Sequence, residues 1–368
     1  MLPPSVRGLV RTGPSIARLS NRAVLSVSGS QAVEFLNGIL SSSIPVTPTH
    51  PHLHFYSAFL HAQGRVLYDA FVYSQANNNG YSQFLIEYDA GPSEAPPLLQ
   101  MLKRYLLRRK AKIRDVSQEY DVWAAWGSVV DETWDAQRRW LHASSGAIEP
   151  VWDNQEDCPW GSKPGVLRDR RAIGMGHRLL VRKDVRPQEA SDHDEVLAED
   201  YLLHRITHGV PEGKTDIVPM HAFPMESNLD VMGALDFRKG CFVGQELTVR
   251  TYHTGIIRKR ILPVLIEPSS GSTLSSQELL SFPPGLEIRA QRTGADDTTP
   301  RPRPRGTGKL LSSTKGVGLA LLRLEHVAAV ENGTAILEME MDKEKITKWK
   351  VTPWWPDWWP RMPENQQT

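Results

Sequence analysis

Apolar residues fall along this chain mostly in short runs separated by Gly, Pro, Ser and Asn, and only three stretches carry them at helical spacing. Val24 and Val27 suit a short strand. Ser30 can then cap a helix carrying Ala32, Phe35, Leu36 and Ile39, stopped by Pro45 and Pro48. Three strand-like runs follow, Phe55 to Leu60, Val66 to Tyr73 and Phe84 to Tyr88. Gln63-Gly64 turns the first pair and Asn77-Asn78-Asn79-Gly80 the second, an antiparallel meander rather than a dinucleotide-binding unit. Pro96-Pro97 open a second helix with Leu98, Leu102, Tyr105 and Leu106 on one face. Its basic face, Lys103, Arg104, Arg108, Arg109 and Lys110, reads first as a solvated surface and second as a patch for an acidic partner. Ile113 to Val116 and Val122 to Trp126 are strand-like, and residues 127–165 are tryptophan-rich and irregular, as an inserted segment would be. The third helix is expected from about Asp192, capped by Ser191, to the stop Gly209–Pro211.

Beyond Arg258 the pattern is β-rich throughout. Ile261 to Ile266, Leu286 to Ala290, Gly316 to Leu322, Thr334 to Met339 and Ile346 to Val351 predict a small β-barrel interrupted by a proline- and charge-rich loop, Thr293 to Arg305. Trp354, Trp355, Trp358 and Trp359 form a tail expected to pack on a domain.

Composition narrows the function classes. The 368 residues, 40% hydrophobic and 23% charged, suit a globular protein with two or three domains. With 43 basic and 42 acidic residues there is no electrostatic case for nucleic acid. No apolar run reaches the ~20 residues that span a bilayer. The first twenty residues carry Arg7, Arg11 and Arg18 among serines and apolar residues, with no acid before Glu34. That composition fits an organelle transit peptide, although Pro3, Pro4 and Pro14 weaken its helix and a frayed terminus reads equally well.

Two cysteines, Cys158 and Cys241, cannot build a disulfide framework or a closed zinc site. Cys158 sits beside Glu156 and Asp157, which disfavour a thiolate. Cys241 lies in Phe237-Arg238-Lys239-Gly240-Cys241-Phe242-Val243-Gly244-Gln245-Glu246, where neighbouring cations favour the thiolate that ligates iron or attacks an electrophile. Gly240 and Gly244 permit a tight turn or close approach. A buried structural cysteine is the plainer alternative, and the surrounding charge argues against it.

The stretch Lys239 to Glu246, followed by Arg250, resembles the signature of folate-binding proteins of iron–sulfur cluster assembly and repair, relatives of the aminomethyltransferase (T-protein) of the glycine cleavage system. Pro224-Met225-Glu226-Ser227-Asn228-Leu229-Asp230 matches the approach to that signature. Leu60-His61-Ala62-Gln63-Gly64-Arg65-Val66-Leu67-Tyr68-Asp69 resembles the family's Gln-Gly-Arg turn and following Asp, and Asn21-Arg22, Ser28-Gly29 and Phe35-Leu36-Asn37-Gly38 its opening. The likeness runs from about Asn21 to Gly255 and more loosely through the barrel. Phe242 stands where many relatives carry tyrosine.

The resemblance implies an α+β, three-domain cloverleaf-like aminomethyltransferase-type fold with antiparallel sheets and a C-terminal β-barrel. The expected parts are a targeting segment at 1–20 and an α+β body at 21–255 with two interleaved subdomains meeting near 120–190. The barrel follows at 256–353 and a tail at 354–368. It further implies a mitochondrial matrix protein, a monomer on its own, acting with an A-type scaffold late in four-iron cluster formation. Cys241 would then be a ligand to a two-iron two-sulfur cluster bridging to that partner. Tetrahydrofolate is the implied cofactor, with Arg65, Asp69, Glu226 and Lys239 the residues expected to meet it.

Two other chemistries remain open on the sequence. A folate-dependent aminomethyl or methyl transferase needs a carboxylate near a folate nitrogen, and Asp69, Glu226 and Glu246 are candidates. A cysteine hydrolase or transferase would pair Cys241 with His253.

Overall fold

The computed structural model describes residues 2–45, 53–76, 82–107, 109–128, 138–152, 159–269, 281–293, 308–340 and 348–360. The chain divides into two compact units. The larger comprises Thr12–Tyr201 and Glu212–Ile256. The smaller comprises Leu202–Pro211 and Ile257–Trp359, with the residues up to Arg11.

The larger unit contains two five-stranded sheets whose strands interleave in sequence. The first strand, β1 (Ser15–Arg18), belongs to one sheet. The next five, β2 (Arg22–Ser28), β3 (Phe55–Leu60), β4 (Val66–Ala76), β5 (Ser82–Asp89) and β6 (Lys112–Asp115), form the other, in the order β3-β4-β5-β2-β6 with every neighbour antiparallel. This is the meander read from the sequence. Its second turn, at residues 77–80, lies outside the described residues. The chain then returns to β1 through β7 (Tyr120–Trp126). After a two-stranded hairpin of β8 (Arg138–His142) and β9 (Ile148–Trp152), it adds β10 (Val166–Arg168), β11 (His177–Arg182) and β12 (Asp194–Val196). That sheet runs β10-β11-β7-β1-β12, and only the β1–β12 pair is parallel.

Ser15–Arg18, inside the segment expected to carry targeting, is a strand with Ile16 and Ala17 fully buried. The hydroxyl and arginine content that resembles a leader also suits a short strand paired on both sides. Two expectations need correction here. Segment 127–165 is not wholly irregular, because β8 and β9 pair within it. The third helix begins at Ala198 and ends at Thr207. Asp194–Val196, read as its first turn, instead pairs with β1, a partner from the far end of the sequence. The helix Leu98–Leu106 stands as predicted.

The smaller unit is a closed barrel of β13 (Lys259–Pro268), β14 (Glu287–Arg292), β15 (Gly308–Thr314), β16 (Val317–Arg323), β17 (Ala335–Glu340) and β18 (Lys348–Pro353), ordered β13-β16-β15-β14-β17-β18. The two-residue period of β13 and β16 divides their side chains between two cores. Leu262, Val264 and Leu322 fill the barrel with Ile288 and Val351. Ile261 and Leu319 point outward, onto Val6, Leu203, Ile206 and Trp354. Closure leaves no open sheet edge. β15 and the helix Leu324–Glu331 were missed in the sequence reading. The tail packs as expected: Trp354 joins that outer core, and Trp358 Nε1 donates to the His208 carbonyl at 2.8 Å.

Candidate functional site

Two segments almost 180 residues apart build the site. The turn after β3 carries Gly64 at φ +76°, and the cysteine segment carries Gly244 at φ +84° just ahead of the helix Gln245–Thr254. A Cβ on Gly244 would stand 2.5 Å from the His61 carbonyl oxygen and 2.7 Å from Leu60 Cβ. A Cβ on Gly64 would stand 2.8 Å from Leu247 Cβ and 3.2 Å from the Gly244 carbonyl oxygen. Both glycines are therefore required by conformation and by space. Gly240 is different: a Cβ there would meet nothing within 4 Å, so it leaves open space before the thiol rather than making a tight turn.

Cys241 is exposed on the segment leading into the helix. The two cations beside it in sequence are both engaged elsewhere. Arg238 reaches Glu149 on the β8–β9 hairpin at 3.1 Å. Lys239 Nζ donates to the carbonyls of Asn37, Leu40 and Ser42 at 2.9, 2.8 and 3.0 Å. Burial pulls the Lys239 ammonium down to about 8, against the opposing pull of Asp236. Val243 N–H donates to the Gly38 carbonyl at 3.1 Å, and Gln245 Oε1 accepts from Phe242 N–H at 3.2 Å. Glu149 also accepts from Tyr252 at 2.5 Å, while Phe237 stacks on Tyr252 with 4.0 Å between ring centroids. The thiol is thus presented by a turn braced on three sides. Glu246 and Arg250 are exposed on the following helix.

Of the residues expected to meet folate, Arg65 bonds the His221 carbonyl at 2.5 Å and covers the Phe223 ring at 3.5 Å. Asp69 is buried and accepts from Tyr56 Oη and Gly213 N–H, each at 3.1 Å. Its burial raises the carboxyl above the usual range, and Arg22 only partly offsets this. Glu226 is half-buried in the approach segment. Cys158 lies outside the described residues. His253 sits near the far end of the helix, edge-on to Tyr252 at 5.0 Å. That is roughly 12 Å of rise from the helix start, and no contact between Cys241 and His253 is found among the described residues, so the structure lends the hydrolase reading no support.

Sequence reading missed the charged lattice around Asp69. Arg22 Nε bonds Glu87 at 2.8 Å, Arg171 bonds Asp169 at 2.6 Å and Glu212 at 2.7 Å, and Arg178 bonds Glu212. Tyr73 donates to Glu87 at 2.9 Å and Tyr201 to Glu212 at 3.0 Å. Phe71 lies under both Arg171 and Arg178, at 4.7 and 4.6 Å. The available signal was a lone charge inside an apolar strand, as in Leu85-Ile86-Glu87-Tyr88. Among the described residues, no three of His, Cys, Asp and Glu converge to hold a metal ion.

Interleaved sheets, a six-stranded barrel and a cysteine turn interlocked with a Gln-Gly turn define an aminomethyltransferase-type fold. The solved aminomethyltransferase T of the glycine cleavage system from Bartonella henselae matches it at a TM-score of 0.59, with 15% identity, over 95% of this chain and 87% of that one. Residues 258–361 match the family model described as the CAF17 C-terminal beta-barrel domain. Two curated relatives, each named "Iron-sulfur cluster assembly factor IBA57 homolog, mitochondrial", cover most of the chain. The one from Cryptococcus neoformans var. neoformans serotype D is 41% identical over 85% of this chain and 84% of its own length. The one from Pyricularia oryzae is 36% identical over 92% and 83%. The chain belongs to the family of mitochondrial iron–sulfur cluster assembly factors that these IBA57 homologues represent.

Proposed function

We propose that the protein works in the mitochondrial matrix beside an A-type scaffold, late in four-iron cluster formation. Cys241 lends its thiolate to a two-iron two-sulfur cluster shared between the two proteins. The observation that carries this is the exposed thiol on a braced turn, with open space at Gly240 for an approaching partner. One thiolate cannot hold a cluster, so the remaining ligands come from the partner. The cluster is cargo, and this chain's part is to present one ligand in a fixed geometry.

Three of the four residues expected to meet tetrahydrofolate are engaged within the chain itself, which weighs against their holding it. Lys239 has spent its donors on carbonyls, Arg65 is folded over Phe223, and Asp69 is enclosed by its own hydrogen bonds. Of the carboxylates a one-carbon transferase could use, Asp69 is buried and Glu226 half-buried, while Glu246 is exposed on the helix after the thiol. The test is to mix the reduced protein with an A-type scaffold carrying a two-iron cluster and follow absorbance and native mass. A mixed complex that forms with wild type and fails with Cys241→Ser is expected. Equal complex formation by Cys241→Ser would overturn the reading.

A further inference from the structure

The sequence motif invites the view that Lys239 is there to lend its charge to the thiol two residues on. The geometry points elsewhere. Asn37 closes the helix Ala32–Asn37, and Leu40 and Ser42 follow it, so their carbonyls have no helical partners further along the chain. All three converge on one nitrogen, at 2.8 to 3.0 Å. An ammonium has three N–H donors and no acceptor, which matches three carbonyls one for one. The same nitrogen lies over the face of Phe242, 4.9 Å from the ring centroid. Val243 N–H on the Gly38 carbonyl also ties this turn to the same segment, and just ahead of it Asp236 N–H donates to the Ser41 carbonyl at 3.0 Å and its carboxylate accepts from Ser43 Oγ at 2.6 Å.

We infer that Lys239 is a positioning residue: its ammonium fastens the Cys241 turn to residues 37–42, and the motif requires lysine for that three-way fit rather than for a charge beside sulfur. The inference takes Cys241 as the working group from the proposed function, but the clamp itself is a property of the fold. Arginine cannot replace it. A planar guanidinium spreads its donors over three nitrogens in a fixed fork and cannot converge them on carbonyls ranged around one point. A neutral side chain leaves these three carbonyls, two of them on buried residues, without that donor.

Lys239→Arg and Lys239→Met in the full chain separate the two roles. Hydrogen exchange at the Val243 amide reads the turn, and the absorbance and visible circular dichroism of the mixed complex with the cluster-bearing A-type scaffold read its consequence. The clamp predicts that both variants speed Val243 exchange by roughly tenfold or more, with the barrel amides unchanged, and that both weaken or distort the cluster signature. Wild-type behaviour of Lys239→Arg in both measurements would overturn it, because charge alone would then suffice. Unchanged Val243 exchange in Lys239→Met would do so as well. Should either variant fail to fold, lysine-selective nitrogen-15 spectra of the unaltered protein decide the matter. One ammonium with slowly exchanging hydrogens, assigned to Lys239, supports the clamp, and its absence refutes it. A Cys241→Ser protein that still forms the mixed complex would sink the proposed function while leaving the exchange result standing.

Discussion

The carbonyl oxygen of Gly244 lies 3.2 Å from where a Cβ on Gly64 would stand, so the Gln-Gly turn and the cysteine turn close against each other with no room for a side chain on either. This contact joins two motifs that the sequence holds far apart. It fixes where the helix Gln245–Thr254 starts and therefore how Cys241 is offered to solvent.

Substituting alanine for Gly244 should cost about 2–4 kcal/mol, from the left-handed backbone and the overlap with His61 and Leu60 together. Urea unfolding would measure it. The same change at Gly240, where a Cβ meets nothing, should cost under ~0.5 kcal/mol.

Arg171 stands at the centre of the buried lattice, between Asp169 and Glu212. Arg171→Met should destabilise the protein by roughly 3–5 kcal/mol, because it strands buried carboxylates without their cation. Equilibrium unfolding followed at the tryptophans would read the loss. A change below ~1 kcal/mol would mean that the lattice contributes little beyond packing.

His54 gives the larger unit an acid-sensitive point. Its Nε2–H donates to the Lys163 carbonyl at 2.8 Å, while Nδ1 accepts from Ser74 N–H at 3.2 Å, which fixes the neutral ring. Burial lowers its pKa, and the Lys163 bond opposes this only in part. The unfolded chain takes up this proton near ~6.5 and the folded chain only at lower pH. Stability from His54 is therefore present above ~6.5 and lost as pH falls below it, with a slope of up to ~1.4 kcal/mol per pH unit. Comparing wild type with His54→Gln across pH 5 to 8 should show that slope flattened in the variant.

Cys241→Ser should leave thermal stability within about 0.5 kcal/mol of wild type, since the side chain is exposed and serine is nearly the same size. Thermal unfolding beside the mixed-complex assay would separate loss of function from loss of fold. A large drop in stability would place the sulfur in a structural role.

The residues by themselves determined a good deal. Short apolar runs set off by turn residues specified the meander and most of the barrel, because a period of two and a Gly or Asn break are local properties of the chain. The cysteine motif was legible for the same reason: its residue types stand together in eight positions. Tertiary structure alone decided the rest. Asp194–Val196 has helix-like neighbours, yet β1 claims it as a parallel partner, a pairing that no local window contains. Lys239 looked like a charge for Cys241, but the carbonyls that take it lie about 200 residues away in sequence, at Asn37, Leu40 and Ser42. Glu87 stands out only as a lone charge in an apolar strand, and Arg22, Arg171, Arg178 and Glu212 look like ordinary surface charges singly. Folding brings them together, and burial makes each depend on the others, since a charge taken out of water is tolerable only beside its opposite.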